Sequence, residues 1–193
     1  IFDCLEKDKG QYDVPCKVFW ASGACLMVRR VDFVDYGGFD ENFFAHQEEI
    51  DLCWRINARG REVAVVPSSV VYHLGGGTLS MQDARKTYLN FRNNHFLLYK
   101  NLSTGRWMVL SVIRFFLDYM AAFSFLLQGK LQDAKAVVKA RIDFLRMKST
   151  IRPLRKENMQ HTICPRIPMV YRGSLLFNYY ILRKKTYTQL FAK

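Results

Sequence analysis

Three carboxylates, Glu48, Glu49 and Asp51, fall within four consecutive positions of this 193-residue chain. Large apolar side chains surround them: Phe43, Phe44, Ile50, Leu52 and Trp54. Crowding like charges beside a core-forming stretch disfavours their ionised forms, so a carboxyl in this setting keeps its proton to higher pH than one in water. A fold tolerates such crowding where a cation, a hydrogen-bond network or a catalytic task compensates. The competing account needs no chemistry: acidic residues at a helix start are favoured by the helix dipole.

The spacing predicts a helix over residues 47–59, with its acids at the N-terminal end and Arg55 and Arg59 at the other. Asp51 and Arg55 form an i,i+4 pair on it, and Gly60 is a natural stop. Ahead of it, residues 18–30 read as a largely buried strand with a bend or close approach at Gly23, and residues 31–36 as a short helical piece ended by Gly37-Gly38. Behind it, residues 62–73 read as a strand broken by Pro67, leading through His73 into Gly75-Gly76-Gly77-Thr78. Residues 84–101 read as a polar-aromatic helix.

The second half differs in character. Residues 107–127 are long and apolar enough to span a bilayer, yet Arg114 and Asp118 sit near the centre, where charge is costly. Four apart, the two are expected to pair on one face. Residues 130–148 place Leu131, Ala134, Val138, Ile142 and Leu145 on one side and six Lys or Arg on much of the rest, the pattern of a basic helix that lies on an anionic membrane. A helical cap packed on the first half is the plainer account. Residues 149–193, with Pro153 near their start, read as an irregular basic extension. The expected organisation is therefore 1–104, 105–148 and 149–193.

The charge follows that division. Residues 1–104 carry 12 Lys or Arg and 13 Asp or Glu, whereas residues 105–193 carry 17 and 4, so the excess of the +12 chain lies wholly in its second half. That asymmetry points to an anionic partner, either lipid headgroups or nucleic acid. The five cysteines are odd in number and form no C-x-x-C pair, so neither a disulfide framework nor a zinc site is indicated and a reducing, cytosolic compartment fits best.

Taken in order, Ala21-Ser22-Gly23-Ala24-Cys25-Leu26-Met27-Val28-Arg29-Arg30, Gly37-Gly38-Phe39-Asp40-Glu41-Asn42-Phe43-Phe44, Glu48-Glu49-Ile50-Asp51-Leu52-Cys53-Trp54-Arg55 and Val66-Pro67 with Tyr72-His73-Leu74-Gly75-Gly76-Gly77-Thr78 carry a resemblance. The stretch 19–101 resembles the acceptor-side half of family 2 glycosyltransferases of GT-A fold, particularly rhamnosyltransferase-like members. The resemblance implies an α/β class: the acceptor-side half of a GT-A fold followed by amphipathic α-helices. The family's nucleotide-binding half, with its Asp-x-Asp motif, has no counterpart in this sequence, so the chain is expected to be a fragment lacking an N-terminal half and inactive alone.

The resemblance also implies roles. Inverting transfer needs a base opposite the departing nucleotide. The family usually has Glu-Asp there; this chain has Glu-Glu, which makes Glu49 the candidate base, with Glu48 orienting it and Asp51 bracing the helix. His73 is implied near a divalent cation, Mg or Mn; a strand-end histidine satisfied by a carbonyl is the alternative. Gly76 and Gly77 would form a flap over the donor, or a plain connector. Arg85 would meet pyrophosphate, or be a solvated helix charge. Trp20, Ser22 and Gly23 lie where the family shapes its acceptor pocket, although Trp20 could equally be core. Asp40 would tie down the loop that presents Glu49.

The implied partners are a nucleotide-diphospho-sugar donor, a polysaccharide or lipid-linked glycan acceptor and an anionic membrane surface at the cytoplasmic face, with no nucleic acid. The alternative is a non-enzymatic basic module that grips nucleic acid or anionic membrane, with Tyr171, Tyr179 and Tyr180 available for stacking.

Overall fold

The computed structural model describes residues 6–73 and 84–191. The order of elements is β1 (Cys16–Val18), α1 (Arg30–Asp35), α2 (Glu48–Ala58), β2 (Val63–Val65), α3 (Ala84–Asn101), α4 (Thr104–Leu127), α5 (Leu131–His161) and α6 (Tyr187–Phe191). Short 3-10 turns lie at Gly23–Cys25 and Glu41–Phe43, and a π-helical turn at Phe177–Ile181.

The described chain is mostly helical, and the α/β expectation is met only by one antiparallel pair, with Cys16 opposite Val65, Lys17 opposite Ala64 and Val18 opposite Val63. Of the long strands expected over 18–30 and 62–73, only Val18 and Val63–Val65 lie in the ladder, and β1 begins at Cys16, ahead of the expected start. A strand persists only where a neighbour satisfies its backbone, and beyond this register Val66, Val70 and Val71 are exposed.

Helix α2 is the hinge of the packing. Ile50 and Trp54 face a core built by Phe43, Phe96, Leu97, Tyr99, Phe144 and Ile151 from the 3-10 turn, α3 and α5. Leu52, Cys53 and Ile56 face a second core with Val63, Val18, Ala21 and Phe33. The helix ends as expected: Gly60 takes φ +80°, and the amides of Gly60 and Arg61 donate to the carbonyls of Asn57 (3.1 Å) and Ile56 (3.0 Å).

Helix α3 matches its sequence expectation at both ends. Helices α4 and α5 form a hairpin closed by Gly129 at φ +72°. Arg114 and Asp118 pair at 2.6 Å, as their spacing suggested. Helix α5 departs from expectation: it runs through Pro153 to His161 instead of ending near 148. An interior proline costs a helix about 3 kcal/mol. Packing of Ile151 and Leu154 into the core, and donation from Arg155 to the Tyr99 carbonyl, outweigh that cost. The tail also has more order than expected, since Glu6 accepts from the Thr188 amide at 3.2 Å.

Candidate active site

Glu48 and Glu49 open α2, behind a loop whose backbone is unusual. Phe44, His46 and Gln47 all have positive φ, at 63°, 69° and 74°. The Ala45 amide donates to the Phe43 carbonyl at 2.8 Å, which closes a tight turn around Phe44. Side chains without glycine's freedom adopt such angles only where surrounding contacts impose them.

Those contacts come from α3. The side-chain amide of Asn93, fully buried, donates to three loop carbonyls: Phe43 at 3.0 Å, Ala45 at 2.7 Å and His46 at 2.8 Å. Arg92 donates to the carbonyls of Asn42 (2.9 Å) and Phe43 (3.0 Å). Gln47 donates to the Asn90 carbonyl at 3.1 Å. One face of α3 thus gathers the loop that delivers Glu48 and Glu49.

Asp51 has the bracing place. Its carboxylate is fully buried and meets Arg55 (2.9 Å), Lys100 (2.8 Å) and the Asn101 amide (2.7 Å). These partners lie on α2 and α3, so Asp51 sits in the contact between the two helices. Lys100 also reaches Asp40 at 2.6 Å, and Asp40 caps the turn by accepting from the Asn42 amide at 3.0 Å. Burial alone would push the Asp40 carboxyl up; Lys100 and the Asn42 donors outweigh it and hold it below the usual value. Arg55 donates to the carbonyls of Tyr36 and Gly38, which ties the Gly-Gly turn to α2.

On the other side of α2 the segment 19–23 lies along the helix. The Phe19 carbonyl accepts from Asn57 at 2.9 Å, the Phe19 ring meets Trp54 edge-on at 5.2 Å, and Ala21 packs with Leu52 and Cys53. The segment reaches Glu49 at Gly23, where a Cβ would stand 3.9 Å from that of Glu49. Ser22 caps the 3-10 turn through the Ala24 amide at 3.3 Å. Trp20 is 43% exposed, which corrects the view that it is core. A hollow of about 350 Å³ opens beside Gly23, lined by Leu26, Val28, Arg30, Phe33 and Phe39.

Electrostatically, Glu49 is the unusual group. Desolvation pushes its carboxyl above the ordinary value of 4.5, and the neighbouring Glu48 charge adds to the rise. Amides of the first turn and the nearby His46 pull the other way and offset only part. Residues 46–49 each carry a buried polar atom without a hydrogen-bond partner among the described residues: His46 Nε2, Gln47 Oε1, Glu48 Oε2 and Glu49 Oε2. Buried polar atoms are normally paired, so four in a row without a partner among the described residues set this stretch apart.

The remaining expected residues are not gathered with these. Arg85 starts α3 with its guanidinium 4.8 Å from the Phe44 ring, at the edge of the same loop. His73 is exposed, and nothing among the described residues ties it to Glu49. Gly76 and Gly77 lie outside the described residues. No group of three or more His, Cys, Asp or Glu among the described residues is placed to hold a metal. The buried carboxylates Asp40 and Asp51 already share an ammonium, a donor set that does not fit Mg or Mn.

Sequence reasoning missed Arg92, Asn93, Lys100 and Asn101. Their signal was polar residues recurring at helical spacing, 92/93 and 100/101, within the stripe that buries Leu89, Phe96 and Leu97.

Residues 4–135 match the glycosyltransferase-like family 2, a stretch that takes in the site, α3 and α4. Among curated proteins, the chain is 46% identical over 56 residues to an N-acetylglucosaminyl-diphospho-decaprenol L-rhamnosyltransferase of Mycobacterium tuberculosis, covering 29% of this chain and 18% of the relative. It is 39% identical over 56 residues to the rhamnosyltransferase WbbL of Escherichia coli K12, covering 29% of this chain and 21% of that protein. The matched stretch thus spans about a fifth of each relative's own length. No solved structure matches. With well over half its length matched, and with the acidic helix start built as described, the chain belongs to the glycosyltransferase-like family 2.

Proposed function

We propose that this chain supplies the acceptor side of an inverting sugar transfer, with Glu49 as the base. A hydroxyl of the acceptor lies against the start of α2 and gives its proton to the Glu49 carboxylate as its oxygen forms a bond to the anomeric carbon of the donor sugar. The bond from that carbon to the nucleotide diphosphate breaks, and its electron pair leaves with the diphosphate. Glu48 orients the acceptor or the base. Asn93, Lys100 and Asp51 hold the loop and helix that carry both. Trp20, Ser22 and Gly23 form the acceptor wall.

The observation that carries this reading is the state of Glu49: a carboxyl raised by burial, with one buried oxygen lacking a partner among the described residues, on a residue whose Cβ would stand 3.9 Å from a Cβ placed on Gly23. A base buried enough to bind its proton above the ordinary carboxylate range is what the transfer requires. The relatives' names support a rhamnosyl donor and an acceptor glycan carried on a polyprenyl diphosphate. We place the transfer at the cytoplasmic membrane surface, where such a lipid lies, and the catalytic part in a GT-A fold. Mg or Mn, which the family resemblance implies, would accompany the donor diphosphate; the described residues do not assemble its site, and no step above runs through it.

The nucleic-acid reading is not favoured, because it gives the paired glutamates and the family match no task. The test is transfer from nucleotide-diphosphate rhamnose to a polyprenyl-diphosphate glycan by the protein as encoded in its genome, with Glu49→Gln alongside. Donor binding unchanged with transfer lost supports the proposal; near-normal transfer by Glu49→Gln removes it.

A further inference from the structure

Helix α4 is 24 residues long, apolar enough in length and composition to cross a membrane, and largely unburied. At 1.5 Å per residue it is about 36 Å long. Met108, Val112, Phe116, Met120, Phe123 and Leu127 are all more than half exposed. At 100° per residue these positions share one broad face, and no charged residue interrupts it. Soluble monomers seldom leave so continuous an apolar surface to water. The polar groups of the same helix turn the other way. Asp118, 2% exposed, stands 3.0 Å from His95 of α3, 2.6 Å from Arg114 and 4.0 Å from Arg141 of α5.

We propose that this face seats in the surface of an anionic bilayer, with α4 lying in the membrane plane. The choice between lying and spanning follows from α5. The Lys148 ammonium is 4.4 Å from the Trp107 ring near the start of α4, and the Arg141 guanidinium is 4.8 Å from the Phe115 ring at its middle. Helix α5 therefore runs antiparallel along α4, and it carries Lys135, Lys139, Arg141, Arg146 and Lys148 with Asp133 and Asp143. A spanning α4 would draw these charges through the hydrocarbon. Lying flat, α4 sinks only its outer face, about 5–10 Å, and leaves α5 at headgroup level. The exposed Leu131, Ile142 and Leu145 of α5, at spacings of 11 and 3, extend the apolar surface beside Arg141. The sequence expectation put the contact on the helical hairpin 105–148 as a whole; the exposed apolar face is on α4.

Charge selects the occupant. Residues 105–193 carry 17 basic against 4 acidic residues, so a second copy would bring two strongly positive halves together, whereas anionic headgroups neutralise them. A hollow of about 570 Å³ near the N-terminal end of α4, lined by Thr104, Arg152, Arg155, Lys156 and Met159, adds positive charge there. This proposal stands on α4 and α5 and does not depend on sugar transfer.

The test uses the 193-residue chain and vesicles of phosphatidylcholine with or without phosphatidylglycerol. The chain floats with the anionic vesicles and dissociates at high salt. Phe116→Glu with Phe123→Glu lowers the bound fraction about tenfold or more at unchanged far-UV circular dichroism, since carboxylates would enter the acyl boundary. Lys135→Glu with Arg146→Glu reduces the preference for phosphatidylglycerol. Lipids bearing a photoreactive diazirine near the carbonyl end of the chain label both ends of α4; lipids bearing it at the chain terminus do not. Failure to bind anionic vesicles overturns the proposal. So does labelling of the α4 centre from the chain terminus, which means a span, or a lipid-free dimer in sedimentation that the Phe116/Phe123 variant dissociates.

Discussion

The Lys100 ammonium stands 2.8 Å from Asp51 and 2.6 Å from Asp40, with Lys100 only 3% exposed and Asp51 fully buried. One cation from α3 thus ties the helix that carries Glu49 to the turn that precedes it. Removing one partner of a buried pair leaves an uncompensated charge and costs about 3–5 kcal/mol. Lys100→Met is expected to lose stability on that scale in urea unfolding. A loss below about 1 kcal/mol would be the behaviour of a surface pair, not of this one.

Asn93 collects three carbonyls of the strained loop with one amide. Asn93→Ala removes the amide these carbonyls share, leaving Phe43 with its Arg92 and Ala45 donors, and is expected to cost about 1–3 kcal/mol. Asn93→Asp is expected to be worse, because it sets an acceptor-only carboxylate against three acceptors. Equal stability of the aspartate and wild-type chains would show that the loop does not depend on this amide.

Gly23 faces Glu49 with room for a Cβ, at ordinary contact distance. Gly23→Ala is therefore expected to leave stability within about 0.5 kcal/mol. Gly23→Leu extends over the start of α2 and is expected to raise the KM for acceptor at a nearly unchanged fold. By contrast, Gly38 sits at φ +57° with a Cβ position 3.0 Å from the Phe33 ring, so Gly38→Ala is expected to cost about 1–2 kcal/mol. Thermal melts of the three variants, with KM measured for Gly23→Leu, separate the acceptor wall from the structural turn.

The raised carboxyl of Glu49 has a stability consequence with a definite sign. The folded chain binds this proton more tightly than the unfolded one, so ionising Glu49 destabilises the fold. The penalty is absent below the ordinary value of 4.5, grows as pH rises, and is complete above the raised folded value. Glu49→Gln is expected to be more stable than wild type at neutral pH, with the gap closing on acidification. A gap that is independent of pH would assign it to packing.

Much of this arrangement was legible in sequence. The α2 boundaries followed from charge polarity and Gly60, the extent of α3 from its periodicity, and the Arg114–Asp118 pair from a four-residue spacing. The strands were not, because residues 18–30 and 62–73 are apolar enough for long strands but find pairing partners only at Val18 and at Val63–Val65. Helix α5 outran Pro153 because tertiary packing exceeded a local penalty. Within the site, local pattern exposed Glu48 and Glu49, while Asn93 and Lys100 came from a helix more than forty residues away. Contacts at such separation are set by how α2 and α3 pack, which no local spacing encodes.

The central claim is that Glu49 removes the acceptor proton. The most direct measurement is the pH dependence of kcat/KM for sugar transfer by the wild-type protein and by Glu49→Gln. The wild type is expected to lose activity on the acid side with an apparent pKa above 4.5, and Glu49→Gln to fall by at least about a hundredfold and lose that limb while still binding donor. A Glu49→Gln enzyme that keeps both the rate and the acid limb would contradict the account.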